Sequence, residues 1–241
     1  SEYYINTADL AITKKYVNPY KEEKNDKRAD NEFRVYEDVT GIELVQYVVD
    51  VTSSGVDGTV AKDVVINDLT LPDGMILNYD DITIVETAKD GTEKEFTSAG
   101  GDGTTFKYHV AGTDDVTNQL NEDKYNETED RTPVITLTKS GNGFVLNDTY
   151  LEAGSKLTIK YTAKATEDVN GMEVRNTATA TAANIVKVDG KYKTVKADAL
   201  VYINSPRLVI TKKADSEDYA VGDTVTYTID VSNRQTGTIA R

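Results

Sequence analysis

Apolar and polar side chains alternate along most of this chain with the period of a strand, not that of a helix. Successive side chains of an extended backbone point to opposite faces, so segments such as LAITKKYV, IELVQYVVDV and EVRNTATATA each offer one apolar and one polar face. The pattern predicts strands near residues 9–17, 32–37, 42–52, 60–67, 81–87, 94–97, 104–110, 133–138, 143–147, 155–165, 172–187 and 191–203. Gly, Asp and Asn punctuate them. Asp189-Gly190 is placed to close a hairpin, because glycine takes the positive φ that such turns require. Two stretches without periodicity, the charge-dense 21–28 and the acidic 113–131, read as surface loops, the second with room for a short helix. Many short strands between turn signals predict an all-β sandwich.

One residue breaks the pattern. Leu10, Ile12 and Lys14 share a face, which puts an ammonium on the apolar side of the first strand. Unpaired burial of that charge is costly, so Lys14 must be neutral, paired, at the rim or chemically consumed. The alternative is a strand-end lysine whose stem packs while its ammonium reaches water. The motif recurs: LAITKK at 10–15 becomes LVITKK at 208–213. Downstream, Tyr47 corresponds to Tyr227, Asp50 to Asp230 and Lys62 to Arg241. This self-similarity predicts one module over 1–205 and the first strands of a second, similar module over 206–241, as in a tandem array from a longer protein.

Charge and composition narrow the function. The formal charge of −14 is spread along the 241 residues and argues against phosphate backbones and anionic membrane surfaces as partners. There is no cysteine, so any covalent staple needs chemistry other than a disulfide. No apolar run approaches the roughly 20 residues that span a bilayer, and SEYYINTADL lacks the regions of a signal peptide, as expected of a mature or excised soluble piece. His109 is the sole histidine, and acidic spots such as Asp80-Asp81 and Asp114-Asp115 lack the spacing of a calcium loop. The sequence calls for no metal and no cofactor. No nucleophile elbow, phosphate loop or Ser-His-Asp set is present, so a turnover enzyme is not expected. Tyrosine is abundant and tryptophan absent, which suits strand packing better than carbohydrate stacking.

Three inward polar groups combine into one candidate chemistry. Val64, Ile66 and Asp68 share a face, and so do Val174, Asn176, Ala178 and Ala180. If the strands carrying Lys14 and Asn176 are neighbours, the amine can reach the amide carbon past the small alanines. Burial favours the neutral amine, a competent nucleophile, while a protonated Asp68 would donate a hydrogen bond to the Asn176 carbonyl and shuttle protons as ammonia leaves. The product would be an amide joining two strands, formed once as the fold closes. The plain alternative is that Asn176 satisfies backbone groups and Asp68 starts the turn before Leu71-Pro72-Asp73-Gly74.

With ITK near the start, ND-L-LPDG in the middle and NTATATA near the end, the chain resembles the tandem surface repeats of Gram-positive bacteria and the related fimbrial isopeptide-forming domains. The resemblance covers most of 9–205, and 206–241 resembles the opening of the same module. It implies an immunoglobulin-like sandwich related to collagen-adhesin B-type domains, here with long insertions, and an internal bond from Lys14 to Asn176 assisted by Asp68. The long stretch between LPDG and NTATATA departs from the compact repeats and leaves Glu43 and Glu173 as fallback acids. The resemblance further implies an extracellular, cell wall-associated stalk whose partners are neighbouring repeats. A ligand-binding adhesin domain for host matrix protein or glycan is the rival reading, and an accessory module of a polysaccharide-processing enzyme a weaker one.

Overall fold

The computed structural model describes residues 7–17, 44–111, 134–166, 169, 172–202 and 208–233. The predicted strand at 32–37, the loops 21–28 and 113–131, Glu43, the module boundary at Ser205-Pro206 and the GTIAR segment lie outside the described residues. The first strands are β1 (Leu10–Val17), β2 (Leu44–Ser53), β3 (Val60–Asp68) and β4 (Met75–Thr87). They are followed by β5 (Glu93–Gly101), β6 (Thr105–Val110), β7 (Val134–Ser140) and β8 (Gly143–Glu152). Then come β9 (Lys156–Ala165), β10 (Glu173–Thr181), the short pair β11 (Lys187–Val188) and β12 (Lys191–Tyr192), and β13 (Val195–Tyr202). Last are β14 (Leu208–Ala214) and β15 (Tyr227–Asn233). Among the described residues the fold is all-β, as the alternation predicts.

Eleven strands form one hydrogen-bonded ladder in the order β1-β2-β9-β4-β5-β6-β7-β8-β3-β10-β13, every pair antiparallel. The ladder folds over as a sandwich, so that its first strand, β1, lies against its last two, β10 and β13. Inward residues from both halves merge into one core, with Tyr47, Val49, Ile66, Ile84, Leu137, Phe144, Leu157 and Val201 all inaccessible. Burying such side chains contributes roughly 1.5–3 kcal/mol each.

Two irregularities set the phase of the core. Strict alternation from buried Ala61 would turn Asp63 inward and Val64 outward. Asp63 instead takes φ 51°, a left-handed conformation that Asp tolerates better than most residues, and the inward set becomes Val64, Ile66 and Asp68. In β4 the register slips between Asn78 and Thr83, opposite the β9 segment Lys160–Thr162. Asp81 in this bulge receives the backbone N–H of Thr162 at 3.2 Å and the Thr162 hydroxyl.

The predicted strand over 172–187 is shorter than expected. β10 stops at Thr181, and Lys187–Val188 belongs instead to the two-strand hairpin that Asp189 (φ 51°) and Gly190 (φ 78°) close. Asn184 interrupts the strand because its side chain serves the neighbouring backbone, accepting from Lys62 N at 2.8 Å and donating to Val60 O at 2.7 Å. β4, β5 and β8 run longer than predicted, since pairing continues past the apolar stretches.

Candidate functional site

The alternation that made Lys14 an anomaly holds in three dimensions: Leu10 and Lys14 are buried while Ala11, Thr13 and Lys15 are exposed. Lys14 lies opposite Val49 of β2, and β2 pairs Tyr47 directly with Tyr161 of β9. These strands supply an amine and two phenols. From the other end of the ladder, β3 brings Asp68 opposite Ala178 of β10, and Asn176 lies one inward position away. Ala178 and Ala180 are small, which leaves the space beside Asn176 for the lysine stem.

Lys14, Asp68 and Asn176 thus meet in the core, with the Lys14 and Asp68 side chains both 0% exposed. The Lys14 ammonium donates to Asp68 Oδ2 and, at 3.0 Å, to the Tyr161 hydroxyl. Tyr161 donates its own proton to Asp68 Oδ2 at 2.5 Å. The Asn176 Nδ2 group donates to the same Tyr161 oxygen at 2.8 Å. The amine and the amide are therefore separated by no more than two hydrogen bonds laid end to end. In place of the expected bond from Asp68, the Asn176 Oδ1 atom lies 3.3 Å from the Thr70 hydroxyl, whose single proton has the Thr177 carbonyl oxygen at 3.2 Å as its other acceptor. Asp68 Oδ1 is buried with no hydrogen-bond partner among the described residues, and the Tyr47 hydroxyl is in the same state.

Electrostatics follow from this burial. Desolvation pulls Lys14 down to about 8, against the opposing attraction of Asp68, so a useful fraction of the amine is neutral near neutral pH. The ammonium lies 5.3 Å from the Tyr47 ring centre and 5.6 Å from that of Tyr161. Burial first, and the nearby Asp68 second, push both phenols upward, which keeps them protonated.

The rings are themselves fixed. Tyr161 packs against Tyr47 at 5.4 Å and meets Phe144 edge-on at 5.4 Å. Phe144 pairs with Asp68 across β8 and β3, and the preceding Gly143 has no room for a side chain: a Cβ there would sit 1.8 Å from the Asp68 carbonyl oxygen. Of the fallback acids, Glu173 is exposed on the outward face of β10. Tyr161 and Thr70 are the members that sequence reasoning missed. Nothing in LTIKYTAKA separates Tyr161 from an ordinary core tyrosine, whereas Thr70 lies two residues beyond Asp68 and was open to the same inspection. Among the described residues no cluster of three His, Cys, Asp or Glu could hold a metal ion, and no helix is long and apolar enough to cross a membrane.

No family model matches this sequence, and neither does any curated protein. Its structural neighbours include Gram-positive pilin-backbone and collagen-binding adhesin domains. The T6 backbone pilin of Streptococcus pyogenes is 15% identical, with a TM-score of 0.47 over 86% of this chain and 38% of the pilin. The chain thus spans well under half of that pilin's length. The collagen-binding subdomain of the Enterococcus faecalis surface protein ACE is 13% identical, with a TM-score of 0.38 over 83% of this chain and 99% of that one. A collagen-binding domain from a Staphylococcus aureus adhesin is 14% identical, with a TM-score of 0.32 over 65% and 87%. What the side chains can do rests on the geometry above and not on these likenesses.

Proposed function

We propose that this chain is a structural stalk or backbone module of a bacterial cell-surface or pilus-like adhesin, stabilised by an autocatalytic isopeptide bond from Lys14 to Asn176. The observation that carries the reading is the buried meeting of amine, acid and amide around one phenol oxygen. A lysine, a carboxylate and a primary amide are an expensive set to bury, and a solvent-exposed arrangement would hold the same strands at lower cost. The set makes sense as reactants. The neutral Lys14 amine attacks the Asn176 amide carbon, Asp68 takes up and returns protons, and ammonia leaves.

The position of the bond suits a load-bearing role. Lys14 is on the first strand of the ladder and Asn176 on the tenth in sequence, at opposite ends of the hydrogen-bonded order. Among the described residues β1 packs against β10 with no strand pairing between the two, so the amide would join them where backbone hydrogen bonds do not. Tension entering through β1 and leaving through β13 would cross that amide and bypass residues 15–175, which raises resistance to forced unfolding and proteolysis.

Intact mass spectrometry of the folded chain tests the reading. The mass should fall short of the sequence mass by one ammonia, and digestion should release a branched peptide joining Lys14 and Asn176. A full sequence mass overturns it. A ligand-binding adhesin would instead bind matrix protein or glycan on an array, and would do so equally after Lys14→Ala.

A further inference from the structure

From sequence, Asp68 alone is expected to serve both sides of the amide, polarising its carbonyl and shuttling protons to the leaving ammonia, but the structure places a different residue at each side. Thr70 faces the carbonyl oxygen, while Tyr161 faces the nitrogen that must leave. The orientation is fixed by hydrogen-bond chemistry: Tyr161 has one proton, which goes to Asp68, so its oxygen accepts from Asn176 and cannot also donate to it. With Lys14 and Asn176 both donating, the phenol oxygen has all its bonding capacity engaged by the three reactive groups. A residue needed only to fill the core would not require that hydroxyl; phenylalanine would pack as well against Tyr47 and Phe144.

We propose that Tyr161 is a catalytic residue of the cross-link, its phenol relaying a proton from Asp68 to the leaving nitrogen of Asn176. This rests on the Lys14 to Asn176 reading and deepens it. In the first step the Lys14 ammonium gives a proton to Asp68 Oδ2, leaving a neutral amine and a carboxylic acid. Lys14 Nζ then bonds to the Asn176 amide carbon, and the carbonyl electrons move onto Oδ1, whose developing charge draws the Thr70 hydroxyl proton from the Thr177 carbonyl. As the carbon–Nδ2 bond breaks, Tyr161 passes its proton to Nδ2 and takes the proton of Asp68, while Asp68 accepts the surplus proton of Nζ. The products are the Lys14–Asn176 amide, ammonia and a protonated Asp68, with every proton placed and no outside reagent consumed. The short reach on both sides suits the relay, since Asp68 and Asn176 bond the same phenol oxygen at 2.5 and 2.8 Å.

The test follows cross-linking during cell-free synthesis of the full chain, stopped at intervals in denaturant and read as ammonia loss by intact mass. Tyr161→Phe should slow the loss by about a hundredfold or more, the lower edge of what a positioned proton donor contributes. Phe144→Leu, which loosens the same ring and keeps its hydroxyl, should stay close to the wild-type rate. If Tyr161→Phe keeps the wild-type rate, or Phe144→Leu slows it equally, the phenol is packing and the relay is overturned. Should Tyr161→Phe fail to fold, fluorotyrosine placed at 161 alone keeps ring and hydroxyl while making the phenol more acidic. The rate and its pH profile should then shift, and an unchanged profile overturns the relay. A wild-type chain that loses no ammonia overturns the underlying bond itself, which separates the two failures.

Discussion

In the β1–β2 hairpin Lys14 lies opposite Val49 and Thr13 opposite Asp50; in the β14–β15 hairpin Lys212 lies opposite Ile229 and Thr211 opposite Asp230. The agreement runs residue for residue from Leu10 and Leu208 to Tyr16 and Ala214, and it pairs Tyr47 with Tyr227 in position. Surroundings separate them. Tyr47, Val49 and Val51 are inaccessible, whereas Tyr227, Ile229 and Val231 are 54%, 60% and 61% exposed. Lys14 reaches Asp68 and Tyr161, while the Lys212 ammonium sits 4.0 Å from the Tyr227 ring centre. Pairing and register are therefore local properties of this motif. The chemistry of its lysine comes from the facing strands.

The sharpest way to break that contrast is all-or-none. Lys14→Ala should abolish the ammonia deficit and Lys212→Ala should leave it intact; a deficit that survives Lys14→Ala would place the chemistry elsewhere. Next in size is the stability the bond confers. Asn176→Ala leaves the Lys14–Asp68 pair in place but removes the staple, and by the loop-closure reasoning used for disulfides it should cost roughly 4–5 kcal/mol. That corresponds to a fall in Tm on the order of 10 °C or more, measurable by calorimetry, against no change for Lys212→Ala.

The freed amine then gives a pH signature. In the Asn176→Ala chain, folded Lys14 titrates at about 8 and the unfolded residue at the ordinary 10.5. Between these values the unfolded chain holds the proton and the folded chain does not. Stability should therefore rise with pH across that window, by about 3 kcal/mol in full, with the penalty fully present below pH 8. The elevated Tyr47 and Tyr161 phenols act in the opposite sense above about pH 10. Urea midpoints from pH 7 to 10 should show the rise, and adding Lys14→Met should flatten it.

Gly143→Ala comes next. A methyl group cannot coexist with the Asp68 carbonyl at 1.8 Å, so the strands must part, at a cost of about 1–3 kcal/mol. Because Asp68 moves with its backbone, bond formation should slow as well, readable in the same mass time course. The smallest expected effect compares the paired aspartates. Asp50 accepts from the Thr158 hydroxyl at 2.6 Å, so Asp50→Ala should cost about 1 kcal/mol in chemical denaturation. Asp230 is exposed on its hairpin, and Asp230→Ala should change nothing measurable.

Alternation made much of the site legible. Lys14, Asp68 and Asn176 each occupy the inward parity of a period-2 pattern, so their faces could be read without knowing their neighbours. Tyr161 shows the opposite case: Ile159, Tyr161 and Ala163 are all acceptable core residues, and a tyrosine's hydroxyl announces itself only when its three partners are in place. The β4 bulge opposite Tyr161 and the left-handed Asp63 were equally hidden. Each resets a strand's phase through a single backbone conformation, and the side chains involved are common in ordinary turns and strands.

By itself the sequence determined strand character, the inward parity of Lys14, Asp68 and Asn176 and the recurrence of the ITKK motif, because these depend on the chain's own local pattern. Tertiary structure alone decided that β1 closes against β10, that Thr70 faces the amide oxygen and that Tyr161 stands between acid and amide. Thr70 and Asn176 are 106 positions apart and Asp68 and Tyr161 are 93 apart, and only the folding of an eleven-strand ladder onto itself brings such separations within a hydrogen bond.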